Sequence, residues 1–233
     1  GQSTMRRLKK CLRMKSNVAS FVADVAAGLG LDDWDLVPNA DAVGGRVIIY
    51  EGNLTAEPAR IAELVAEARE LGNHPVDLLA CVPPQSVTSG PAGTGSAAAR
   101  SVLLSGGKVW DGTARDVREH YPTDREELRF VQYDSCRGLE GWTTINYDLD
   151  QLWDYKVRQW LAEDHAHDPL VESRAEAADR HAARWIMIPL TRAMDTLVIS
   201  VGTAPGPLRD VLLDVAGRRP DFVEWIELGR PAT

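Results

Sequence analysis

The chain has 233 residues, a formal charge of -8 and 44% hydrophobic content, a length that suits one α/β domain with a substantial buried core. The negative balance argues against a free-standing nucleic-acid binder, which is as a rule basic. No apolar run reaches the about 18 residues of a membrane span, and no signal segment opens the chain. Cys11, Cys81 and Cys136 are too few and too scattered for a disulfide framework or a zinc site. The expected setting is therefore reducing and cytoplasmic, with no membrane contact. Gly1 rather than Met at the start reads as an excised or processed piece.

In chain order, Arg6, Arg7, Lys9, Lys10, Arg13 and Lys15 come first, with no acidic residue among the first fifteen. Such a run reads either as a solvated face or as a local patch for phosphate. Apolar residues Phe21, Val22 and Val25 then follow at helical spacing. Residues 46-51 (RVIIYE), between glycines, predict a buried strand. Residues 56-71 predict a helix, stopped by Gly72 and Asn73. Residues 77-82 form a second strand, closed by Pro83 and Pro84. Residues 84-96 (PQSVTSGPAGTGS) read as a mobile loop. A helix at 97-105 and a short strand at 108-110 come next, then strands at 129-134 and 143-147. Helices at 150-162 and 172-188 precede a strand at 196-201, a helix at 207-216 and an edge strand at 222-227. This alternation predicts an α/β fold with a mostly parallel sheet covered on both faces. Ligand residues would then gather beyond the carboxyl ends of its strands.

Residues 90-96 (GPAGTGS) imitate a phosphate-binding loop, which needs G-x-x-x-x-G-K-[ST]. Gly90 and Gly95 fit. Ser96 stands in the lysine's place and Ala97 in the hydroxyl residue's, so both groups that meet charge are missing. His165, His167 and Asp168 form an H-x-H-D cluster that reads as an exposed loop rather than a metal site. Cys136 beside Arg137 has no histidine base near it in sequence, which argues against a catalytic thiol. Trp153, Trp160 and Trp185 lie on helices among apolar residues and read as core.

Three segments remain: LRMKSNV at 12-18, QYDSCRGLEGW at 132-142 and IMIPLTRAMDTLVI at 186-199. Each puts a charged group at an element boundary. Arg13 and Arg192 are candidate phosphate clamps, because a guanidinium stays charged and can bond two oxygens at once; taken singly, each also reads as a surface salt bridge. Glu140 can accept hydrogen bonds from a sugar hydroxyl.

Together the segments resemble motifs IV (Q-x-Y-R-S-x-x-x-I), V (T-x-H-x-x-K-G-L-E-[FW]) and VI (Y-V-A-x-T-R-A-x-x-x-L) of the UvrD/Rep/PcrA-type helicases of superfamily 1. Arg13 fits motif IV. Gly138, Leu139 and Glu140 fit motif V, with Arg137 in its lysine position. Thr191, Arg192, Ala193 and Leu197 fit motif VI. The resemblance implies a RecA-like three-layer fold of the P-loop NTPase type without the P-loop, in one domain with no large insertion. It implies the C-terminal motor half of an ATP-dependent DNA or RNA helicase. ATP and Mg²⁺ would be held by a missing N-terminal RecA-like half of the same protein. Arg13 and Arg192 would then be arginine fingers. Glu140, Gly138 and Arg137 would line the nucleotide. Gln132, Asp134 and Ser135 would lie near single-stranded nucleic acid, with DNA the first expectation. Alone, the chain would not turn over ATP. Two other readings stay open: a non-catalytic RecA-like nucleotide- or nucleic-acid-binding module, and a stand-alone nucleotide-binding enzyme using residues 90-96. The sequence departs from the family at Leu12 and Gly141, where aromatics are expected, and at Asp134, where a histidine is.

Overall fold

The computed structural model describes residues 10-90, 93-163 and 172-229. Helix α1 (Ser16–Gly28) opens the fold, followed by β1 (Arg46–Glu51), α2 (Pro58–Glu70) and β2 (Leu78–Val82). Next come β3 (Val87–Gly90), β4 (Gly93–Ser96), α3 (Ala97–Leu104), β5 (Val109–Asp111) and α4 (Arg115–Arg118). Strands β6 (Leu128–Gln132) and β7 (Gly141–Asn146) lead to α5 (Leu149–Ala162) and α6 (Arg174–Leu190). The chain closes with β8 (Ala193–Val201), α7 (Pro207–Arg218) and β9 (Val223–Glu227). The main sheet has seven strands in the order β5-β6-β2-β7-β8-β1-β9. Every pairing within it is parallel, and β9 takes the edge expected of it.

The burial follows from the strand repeat of two. In β1, Val47 and Ile49 face one side, where they pack with Phe21 and Val25 of α1, Leu152 of α5, Ile186 of α6 and Leu212 of α7. Ile48 and Tyr50 face the other side, with Ile61 and Leu64 of α2, Ala99 of α3 and Phe130 of β6. Strands buried on both faces read as continuous apolar runs, and β2 (LLACV) is buried at all five positions. The result is the three-layer α/β architecture expected from the alternation. Helix starts follow local chemistry. Ser173 and Glu176 form a reciprocal capping box on α6, with bonds of 3.2 and 2.7 Å; α2 and α7 begin on Pro58 and Pro207, whose missing N–H is unneeded there. Among the described residues, no helix is long and apolar enough to cross a membrane.

One segment departs from expectation. Residues 84-96 are not a plain loop: Val87–Gly90 and Gly93–Ser96 pair as an antiparallel hairpin, and the Ser89 and Thr94 hydroxyls bond across it at 2.8 Å. Its end caps α3, since Ser96 Oγ accepts the Ala99 N–H at 3.1 Å. The Asp111 carboxylate accepts the Ser96 N–H at 2.8 Å and would lie 2.8 Å from a Cβ on Gly95. A phosphate at this helix start would have to displace that carboxylate, which weighs against a nucleotide site at residues 90-96.

Asp148, between β7 and α5, holds left-handed backbone angles of φ 47° and ψ 53°. Burial, and then the charge of Asp150, push its carboxyl from 3.8 up to about 6. The folded state therefore binds this proton more tightly than the unfolded state does. Stability falls as pH rises between these two values, by about 2–3 kcal/mol in total at 1.36 kcal/mol per unit. Asn tolerates left-handed angles, so Asp148→Asn is expected to stabilise the protein by about 2 kcal/mol near neutral pH and to flatten this slope. Urea unfolding of wild type and variant across the window checks both; an unchanged slope contradicts the assignment.

Candidate functional site

Glu140 and Arg192 are delivered to the amino ends of β7 and β8, not beyond strand carboxyl ends as the general rule for such sheets led us to expect, whereas Gln132, Asp134 and Ser135 do lie at the carboxyl end of β6. Glu140 immediately precedes β7, and Arg192 immediately precedes β8. The two strand starts are tied together by the Gly141 N–H, which donates to the Arg192 carbonyl at 3.1 Å. Arg13 lies in the turn before α1. That turn is fastened to the same edge by the Lys15 N–H, which donates to the Met194 carbonyl at 2.8 Å.

The side chains meet there. Arg13 donates through Nη2 to the Thr191 carbonyl, and its Nη1 lies 3.7 Å from Glu140 Oε1. Arg192 donates through Nε to the Ile188 carbonyl and through Nη2 to Thr191 Oγ1, both at 3.0 Å. Both guanidiniums thus sit against the last carbonyls of α6, where a helix carries partial negative charge. Burial, and then the charge of Arg13, hold Arg192 below the usual arginine range. Two guanidiniums face one carboxylate. Among the described residues Arg192 has no ion pair, and Arg13 has only its long one to Glu140. Arg13 Nε is buried without a hydrogen-bond partner. Leu12, beside Arg13, is 72% exposed. The site is an open edge: the cavity of about 440 Å³ between α2 and α3 holds none of these residues.

No protein-family model matches the chain, and no curated protein does. Among solved structures it is similar to the C-terminal domain of a possible DNA helicase from Lactobacillus plantarum WCFS1. The TM-score is 0.47 at 10% identity, over 92% of this chain and 99% of that one.

The path from β6 to β7 explains the other motif residues. Residues 133-140 carry the chain from the carboxyl end of β6 to the amino end of β7, so they span the height of the sheet. Gln132 ends β6, and Tyr133–Ser135 make one helical turn. Tyr133 anchors it, its hydroxyl donating to the Tyr147 carbonyl at 2.6 Å. Asp134 pairs with Lys156 of α5 at 2.9 Å, and Ser135 accepts from Arg118 at 2.6 Å. Gln132, Asp134 and Ser135 are therefore not beside the arginines. Arg137 lies over the Trp185 ring at 4.6 Å. Gly138 adopts φ +80°, which favours glycine. At Gly141 no aromatic of the kind the resembled motif carries would fit: a Cβ there would lie 2.7 Å from the Thr143 carbonyl and 2.9 Å from Leu79 Cβ.

Of the tryptophans, Trp153 is core at 6% exposed. Trp185 is not simple core, since the Lys156 ammonium sits 3.5 Å from its ring centroid on the way to Asp134. Lys156 is 2% exposed and went unnoticed in the sequence, where it is one polar residue on an amphipathic helix. The Cys136 thiol is lowered first by its hydrogen bond from Cys81, and neither cysteine is exposed. Cys11, Cys81 and Cys136 are all free thiols. Among the described residues no group of three or more metal-ligating side chains occurs. His165, His167 and Asp168, and the basic residues Arg6, Arg7 and Lys9, lie outside the described residues. Lys10 pairs with Asp41 at 3.1 Å.

Proposed function

We propose that this chain is the C-terminal motor half of an ATP-dependent nucleic-acid helicase or translocase. Its Arg13 and Arg192 would reach the γ-phosphate of ATP held with Mg²⁺ by an N-terminal RecA-like half, and Glu140 would meet the ribose. The observation that carries the reading is the convergence of Arg13, Glu140 and Arg192, from three distant segments, on one open sheet edge with more positive than negative charge. A guanidinium placed where charge develops on a transferring phosphoryl group is the arginine-finger device. Single-stranded nucleic acid, DNA first, remains the proposed track, near Gln132, Asp134 and Ser135.

The chain alone offers half a site: no lysine and hydroxyl for the phosphates, and Leu12 in place of a stacking ring. It is expected to bind Mg-ATP no tighter than about 0.1–1 mM, or roughly -4 to -5.5 kcal/mol. Calorimetry checks this. The functional test is ATP hydrolysis stimulated by single-stranded nucleic acid in a polypeptide carrying both halves, with none from this chain alone. Micromolar ATP binding and turnover by the isolated chain would contradict the reading.

A further inference from the structure

Another arginine reaches the same edge. Arg129, in β6, donates through Nη2 to the Glu140 carbonyl at 2.7 Å. One residue thus joins two guanidiniums, since its carboxylate faces Arg13 while its carbonyl is held by Arg129. Burial holds the Arg129 guanidinium below the usual arginine range, and its Nε is buried without a hydrogen-bond partner. Among the described residues Arg129 makes no ion pair; Asp77 influences it only at a distance. A half-buried guanidinium with no ion-pair partner is free to meet a counter-charge brought by a ligand. It has no structural need of its full charge here, because a neutral donor would serve the Glu140 carbonyl as well.

We infer that Arg129 is a third anion-binding cation of the Arg13–Arg192 edge, placed to take a phosphate oxygen of a nucleotide's polyphosphate chain. The inference rests on the reading of this edge as a nucleotide half-site. The strand order carries it to that ligand class. β6 and β7 are separated by β2, so Arg129 approaches from two strand spacings away, about 10 Å. Its guanidinium nonetheless reaches Glu140, so three guanidiniums gather at this edge, more donors than a single phosphate group can take and a match for a chain of phosphates. Arginine also suits it, since each guanidinium can hold two oxygens.

The test is an NMR titration of the chain with inorganic tripolyphosphate at low salt, following the side-chain Nε–Hε signals of Arg13, Arg129 and Arg192. All three are expected to shift along one saturation curve. Arg129→Lys, which retains a donor for the Glu140 carbonyl, is expected to weaken binding about tenfold, the loss of one charge-assisted bond. A thermal melt shows whether that variant is folded. If Arg13 and Arg192 shift while Arg129 does not, Arg129 is no ligand and the half-site reading stands without it. That holds even if Arg129→Lys lowers affinity, for Arg129 then acts only through Glu140. If none of the three shifts, the inference and the half-site reading both fail.

Discussion

On the proposed reading, replacing Arg192 with alanine is expected to slow ATP hydrolysis by a polypeptide carrying both halves about 10³- to 10⁵-fold while weakening ATP binding far less. That loss equals roughly 4–7 kcal/mol of transition-state stabilisation at 1.36 kcal/mol per decade. The folded state should lose much less. Arg192 makes two hydrogen bonds at the end of α6, each worth about 1 kcal/mol net. The Ile188 carbonyl keeps a second donor in the Thr191 hydroxyl at 2.8 Å. Removing Arg192 also relieves its repulsion with Arg13. Lysine at this position should restore activity only in part, because a point charge does not reproduce the two-pronged geometry. Single-turnover hydrolysis with saturating single-stranded nucleic acid, beside a thermal melt, separates chemistry from folding. A folded variant within a few-fold of wild type would leave Arg192 as a helix-end cap and nothing more.

The largest effect on stability is expected at Asp134. Its carboxylate is the ionic partner of Lys156, whose side chain is only 3% exposed. Without it the ammonium keeps the Trp185 ring and a long 3.5 Å contact to Gln159. Breaking a buried pair from one side costs about 3–5 kcal/mol. Asp134 itself is 42% exposed, so water can replace part of the carboxylate, and Asp134→Ala is expected to cost about 2–3 kcal/mol. Lys156→Met keeps the apolar stem on Trp185 and leaves Asp134 hydrated; it should fall within about 1 kcal/mol of wild type. Urea unfolding measures both. Equal losses from the two substitutions would mean that packing, not the unpaired charge, sets the cost. The Asp134 charge is thus answered from within the fold.

The layers of the fold were legible because their signals are local. RVIIYE between glycines and LLACV before two prolines are strands by composition, and the helix at 172-188 follows from its run of helix-forming residues. The hairpin at 87-96 was not legible, since its glycines and hydroxyl residues look like loop and its pairing depends on Ser89 meeting Thr94. The gathering of Arg13, Glu140 and Arg192 was legible through motif spacing, but its place on the sheet was not. Glu140 follows a strand in sequence, which suggests that strand's carboxyl end. Residues 133-140 instead cross the sheet, and Glu140 belongs to the start of the next strand. Arg129 and Lys156 were missed for a shared reason. Each is a single basic residue in an amphipathic element, where a solvated side chain is the ordinary case. The one sequence signal for Arg129 was its position between the apolar residues Leu128 and Phe130.

Arg13 and Arg192 are proposed to act on one phosphate group. A double-mutant cycle on single-turnover hydrolysis tests this most directly, comparing Arg13→Ala, Arg192→Ala and the double variant in a polypeptide carrying both proposed halves. Residues acting as a unit are strongly non-additive, so the double variant is expected to be little slower than the worse single one. Two losses that simply multiply, within about 0.5 kcal/mol of additivity, would mean that the two arginines serve separate purposes and would contradict the shared site.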